Sequence, residues 1–174
     1  MEAQCALMDA PDAQKPHCMP RREPLKTGVR NSRQVLGLND LGAPGEYSQP
    51  ELGPVSGETE ILRDNVCGLI WQYGGSDYSM TWQEADDYIQ SLNERKLAGR
   101  EDWRLPTVDE LLTLLTPPDD PTGICFAPSL DPDVRLVWSA DRRAFTQAHF
   151  ADLKLGYVHH QDLTCRFKVK AVAG

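Results

Sequence analysis

Apolar residues recur at helical spacing in one stretch of this chain: Trp82, Ala85, Tyr88, Ile89 and Leu92 form a stripe, with Asp86, Asp87 and Glu94 off it. A second stretch, Val108, Leu111, Leu112, Leu114 and Leu115, is so rich in leucine that it predicts a helix covered on more than one side. Both stretches begin with a capping box, Thr81-Trp82-Gln83-Glu84 and Thr107-Val108-Asp109-Glu110, in which the threonine hydroxyl accepts from a first-turn amide and the glutamate returns the bond. Thr116-Pro117-Pro118 stops the second helix. Between the two lies Asp102-Trp103-Arg104-Leu105-Pro106, an extended run ended by its proline.

Residues 61–71 are enriched in β-branched and aromatic side chains around an Asp64-Asn65 turn, which predicts a strand, a tight turn and a second strand. Downstream, Leu136–Ser139, Ala148–Leu153, Gly156–His159 and Cys165–Val172 also read as strands. In the last of these Arg166, Lys168 and Lys170 should share one face, with Phe167 and Val169 on the other. A cap contributes only about 1 kcal/mol and helices this short are marginal alone, so they must pack on a sheet. Strands, two helices, then strands with long loops make an α+β fold, two short helices on a small antiparallel sheet.

The first 57 residues are patterned differently. Prolines at 11, 16, 20, 24, 44, 50 and 54, with glycines at 28, 37, 42, 45, 53 and 57, interrupt helix and central strand alike. The chain therefore divides into an extended Pro/Gly-rich arm, 1–57, and a compact domain, 58–174. Composition alone favours an arm without fixed structure. An ordered arm must be held by its own domain, a second copy or another protein, because fixing each residue costs about 1–2 kcal/mol of backbone entropy. Val35-Leu36-Gly37-Leu38 and Val55 are its expected anchors.

Length, 174 residues, suits one core. Net charge is −8, with the acidity concentrated after Gly57, which argues against nucleic acid or anionic membrane as partners. No apolar run is long enough to span a membrane, and Met1-Glu2-Ala3-Gln4-Cys5 lacks the layout of an export signal. Cys5, Cys18, Cys67, Cys125 and Cys165 show no C-x-x-C spacing. They read as disulfide candidates in an oxidising compartment, Cys5 with Cys18 and Cys165 with either Cys125 or Cys67, leaving one thiol over.

Asp64–Gln72, Thr81–Ala85, Asp102–Thr107 with Glu110-Leu111-Leu112, then Trp138-Ser139-Ala140 and Cys165–Val172 occur in the order seen in the Lcl C-terminal domain family, which this chain resembles from about Glu58 to Val172. Pro24-Leu25-Lys26-Thr27-Gly28 is similar to a turn often found upstream in that family. The resemblance implies a C-type-lectin-like fold, an exported periplasmic or extracellular location, and binding or adhesion rather than catalysis. Many members carry a first-helix cysteine that would pair near the last strand. Position 89 here is isoleucine, so Cys125 or Cys67 would have to partner Cys165. Neither Glu-Pro-Asn nor Trp-Asn-Asp, the sugar-and-calcium signatures of calcium-dependent lectins, is present.

Candidate chemistry is sparse. Trp71, Trp82, Trp103 and Trp138 could form a sugar-stacking surface, but their motif positions predict core. Arg104, beside Pro106, is expected to be pinned by Asp102 or Glu110 rather than to grip a ligand. Asp119, Asp120, Asp131 and Asp133 offer hard oxygen donors on a proline-broken loop that is ordinarily just solvated. His159 and His160, adjacent on a strand, should point to opposite faces. No nucleophile elbow, phosphate loop or zinc helix can be placed, so no catalytic residue, metal or cofactor is expected. The predicted function is a binding module whose loops Gly74–Met80, Pro117–Pro132 and Asp141–Gln147 meet a glycan or protein, with Arg142 and Arg143 as the exposed basic candidates. Two other readings follow: a structural subunit that joins a homo- or hetero-oligomer through its arm, and a cysteine-dependent oxidase related to formylglycine-generating enzymes.

Overall fold

The computed structural model describes residues 19–118, 125, 127 and 129–174. Both capping boxes are formed. Thr81 and Thr107 accept from the amides of Glu84 and Glu110, and each glutamate accepts from its threonine's backbone N–H. They open helix α2 (Trp82–Glu94) and the single-turn α3 (Val108–Leu112), which follow a one-turn helix α1 (Ser32–Val35) in the arm. Ala85, Ile89 and Leu92 face the core from α2, and Val108, Leu111, Leu114 and Leu115 are fully enclosed.

The sheet is two sheets. Strands β1 (Leu52–Pro54), β2 (Ile61–Asp64), β3 (Ile70–Gln72) and β7 (Val172–Ala173) run antiparallel in the order β1-β2-β3-β7. The other three, β4 (Leu136–Ala144), β5 (Gln147–Asp152) and β6 (Tyr157–Asp162), form an antiparallel meander. This is a mixed α+β architecture with few helices and small antiparallel sheets. The β2–β3 turn closes as its Asp-Asn signal predicts: the Asp64 carboxylate accepts from the Val66 amide at 2.8 Å, and Gly68, at φ 73°, donates to the Asp64 carbonyl.

Cys165–Val172 departs from the expected single strand. It crosses between the sheets and changes partner almost residue by residue: Phe167 pairs with Met80, Lys168 with β4, Val169 with Ser76, Ala171 with Gln72 and Val172 with Arg104. Both flanks are therefore covered, and of Arg166, Lys168 and Lys170, expected to share one face, Lys170 is fully buried. Lys170 Nζ donates at 2.7 Å to the carbonyls of Gln72 and Tyr73.

Residues 19–57 lie against the domain. Leu36 is buried in the core, while Leu38, Tyr47, Leu52 and Val55 pack on it and Val35 stays exposed. Strand β1 extends the first sheet across the boundary at Gly57. Lys26 makes a parallel bridge with Arg142 of β4, and Gly42 accepts from the Val158 amide at 2.7 Å. A side chain on Gly42 would meet the Val158 carbonyl oxygen at 2.4 Å, so the close approach of arm to β6 requires glycine.

Candidate functional site

The arm, the end of β4 and the β5–β6 face converge on one side of the molecule, and a buried carboxylate organises the junction. The register of β4 slips between Trp138 and Arg142, where Ala140 N–H donates to the Pro106 carbonyl. That irregularity turns Asp141 inward. Its carboxylate has no solvent exposure and accepts from both terminal nitrogens of Arg21 at 2.9 Å, from Leu25 N–H at 2.6 Å and from Val108 N–H at 2.7 Å. One aspartate thus ties the arm, β4 and the start of α3 together. The predicted 141–147 loop is accordingly strand through Ala144, and only the hairpin tip at Phe145 and Thr146 is loop.

Arg142 and Arg143, neighbours on β4, serve different clefts because alternate strand positions face opposite ways. The Arg142 guanidinium lies 5.3 Å from the Trp82 ring centroid and 5.8 Å from that of Phe145, which is 90% exposed at the hairpin tip. It borders a groove of about 380 Å³ whose walls include Leu25, Leu105, Ala140, Trp82, Arg104 and Asp86. Arg143 instead donates to Gln147 Oε1 and the Val29 carbonyl, and borders a cavity of about 400 Å³ between arm residues 29–40 and the histidines of β5 and β6.

In that cavity His149 is nearly enclosed, and its Nε2 lies 2.9 Å from the hydroxyl of Thr27 in the arm. Burial pushes His149 down to about 4, against the pull of Asp141. Burial together with Arg143 and the neighbouring imidazoles does the same to His160. The expectation that His159 and His160 diverge is overturned. Their rings stack at 4.5 Å, because His159 folds back so that its Nδ1 meets the His160 carbonyl at 3.1 Å.

The tryptophans are core, as predicted, with Trp82 the half-buried exception. Trp71 and Trp138 have no exposure and Trp103 only 2%. Indole N–H groups donate from Trp138 to the Met80 carbonyl, from Trp103 to Leu97 and from Trp82 to Ser139. Arg104 is gripped by Glu110 through two short hydrogen bonds, and Pro106 is buried beside it. Asp102 binds Arg100 instead.

The pairing of Cys165 with Cys125 or Cys67 is not made: Cys165 is a free thiol 3.8 Å from Gln161 Oε1. Cys5 and Cys18 lie outside the described residues, as do Asp119 and Asp120. Burial raises the Cys125 thiol above its usual range, which opposes a reactive thiolate there. No group of three metal-ligating side chains gathers among the described residues, and none of their helices is long and apolar enough to cross a membrane.

Asp131, considered as an oxygen donor, supplies the opposite charge to buried Lys170. Burial nonetheless lowers Lys170 to about 7, so the unfolded chain binds its proton more tightly between pH 7 and the ordinary lysine value of 10.5. Stability is therefore expected to rise with pH through that window. Urea midpoints taken from pH 7 to 10 should show the rise in the wild type and a flatter profile in Lys170→Met; parallel profiles would refute it.

Local patterning does not mark Asp141, His149, Thr27 or Lys170 as interaction centres. His149 falls within the predicted strand 148–153, which assigns it to one face or the other without naming its partner.

The model of a family described as the Lcl C-terminal domain matches residues 60–173. A comparison with curated proteins gives no match.

Proposed function

Since this chain belongs to the Lcl C-terminal domain family, whose model covers nearly all of it beyond the arm, we propose that it is a non-catalytic binding module of C-type-lectin-like fold, working outside the cytoplasm. Its partner is a glycan or a protein, met at the β4–β5 hairpin. One observation carries the reading: Arg142 sits between the half-buried Trp82 and the exposed Phe145 beside an apolar groove. Aromatic rings flanking an arginine at the mouth of a groove are the composition that dominates binding energy at recognition surfaces. The rigid base supports it too, because the Trp82 indole is fixed by its bond to Ser139 and the arm is locked to β4 through Asp141.

The assembly reading is weaker for this part of the chain. Residues 19–57 are engaged with their own domain, and removing them would strip β1 from its sheet and Leu36 from the core. Point substitutions are the better probe. A glycan array and a cell-surface binding assay on the full chain should show ligand retention that falls at least about tenfold in the double variant Arg142→Ala, Phe145→Ala. Unchanged retention in that variant, with the fold intact by circular dichroism, would remove the hairpin from the function.

A further inference from the structure

The cavity beneath the arm carries charge of the opposite sign to the molecule. The chain has net charge −8, yet Arg30 and Arg33 from the arm and Arg143 from β4 border this space together with His149, His159 and His160. Asp40 is the one acid among its bordering residues. Its remaining walls are partly apolar, with Val29, Leu36, Leu38 and Val158. Gathering three guanidinium groups and three imidazoles around one opening is unfavourable unless a negative group enters among them. The buried Nε of Arg143 has no hydrogen-bond partner among the described residues. Arg30 and Arg33 stand exposed on the rim.

We propose that this cleft binds a small organic oxyanion, a carboxylate or phosphate group on a compact apolar body, held by Arg33 and Arg143 with His160 beneath it, and that its occupancy clamps the arm to the β5–β6 face. The guanidinium fork matches the paired oxygens of either group. A volume of about 400 Å³ accommodates a molecule of metabolite size. Both edges of the cleft belong to different parts of the chain, so a ligand spanning them ties arm to domain. The site lies across β4 from the Arg142 groove and does not depend on the recognition surface proposed there.

Protonation is coupled to the same event. His149 faces Thr27 and Arg143, with Asp141 behind it; His160 faces Arg143, Arg33, His159 and His149; Asp40 lies on the arm side. These rings shed protons easily, because burial and the surrounding cations oppose a further charge. An oxyanion offsets that opposition, so binding draws protons in and tightens as pH falls.

The test uses the full chain with two probes, oxalate and inorganic phosphate, by calorimetry and by NMR titration of the histidine rings. One site should bind, with affinity rising about tenfold from pH 7.5 to 5.5 for oxalate, whose charge is constant over that range. The titrations of His149 and His160 should move up by about two units from their starting point near 4, which over the two rings corresponds to a rise of about that size between pH 7.5 and 5.5. Arg33→Gln and Arg143→Gln should each weaken binding about tenfold, while Arg166→Gln, on the surface beside Glu84, leaves it unchanged. A response to oxalate alone assigns a carboxylate ligand, and to phosphate alone a phosphate ligand. Absence of heat and of ring shifts with both probes overturns the site, as does wild-type binding in Arg33→Gln, whose exposed position leaves folding intact.

Discussion

Asp141→Ala is expected to destabilise the protein by about 3 kcal/mol, because it removes four hydrogen bonds at a position with no solvent exposure. The full cost of an orphaned buried charge does not apply. Arg21 is 21% exposed and keeps Asp109 at 3.2 Å. The loss comes mainly from the amides of Leu25 and Val108, which lose a charged acceptor, and from the arm they anchor. For a protein of this size the melting temperature should fall by roughly 6–12 °C. Asp141→Asn keeps one acceptor oxygen and should fall between wild type and alanine. Limited proteolysis should also reach residues 21–28 faster in Asp141→Ala; a melting shift under about 2 °C with unchanged proteolysis would show that the arm is held elsewhere.

Trp138→Ala should cost about 3–5 kcal/mol, the range for truncating a fully enclosed aromatic residue. Trp138 packs at 4.6 Å in a tilted arrangement against Phe167, which in turn lies 4.4 Å from Phe150, and its indole donates to the Met80 carbonyl. The ring therefore joins β4, β5, the segment before α2 and the crossing C-terminal segment. Trp138→Phe separates packing from hydrogen bonding by restoring a ring but not the donor. At Trp71 the indole nitrogen has no hydrogen-bond partner among the described residues, so Trp71→Phe should be the milder of the two phenylalanine variants. Equal urea midpoints for the two would show that the bond to Met80 contributes nothing.

Much of the scaffold is legible in the sequence. Thr81 and Glu84, Thr107 and Glu110, and Asp64 with Gly68 are partners three or four residues apart. Such bonds form wherever the local backbone bends, so residue type and spacing predict them. Arg104 with Glu110, six residues apart across a proline turn, was at the limit of that range. The tryptophans were legible as core for a different reason: a large indole within an apolar period is costly to leave in water.

The candidate site was legible only in fragments. Arg142 and Arg143 could be picked out as basic residues, but not that one would lie between two aromatic rings and the other reach under the arm. Arg21 meets Asp141 across 120 positions and Thr27 meets His149 across 122. No local periodicity encodes such pairs.

What the sequence alone determined, then, is the set of helices, caps, turns and buried rings, each dictated by short-range geometry and by the aversion of apolar surface to water. Only the tertiary structure decided that the Pro/Gly-rich stretch 19–57 folds back on its own domain, that Lys170 is buried while its neighbours in the same pattern are not, and that arginines and histidines from four segments gather around one cleft. Those outcomes depend on which distant surfaces meet as the two sheets pack and the C-terminal segment crosses between them. An alternating pattern specifies two faces of a strand, and what covers each face is settled by the rest of the chain.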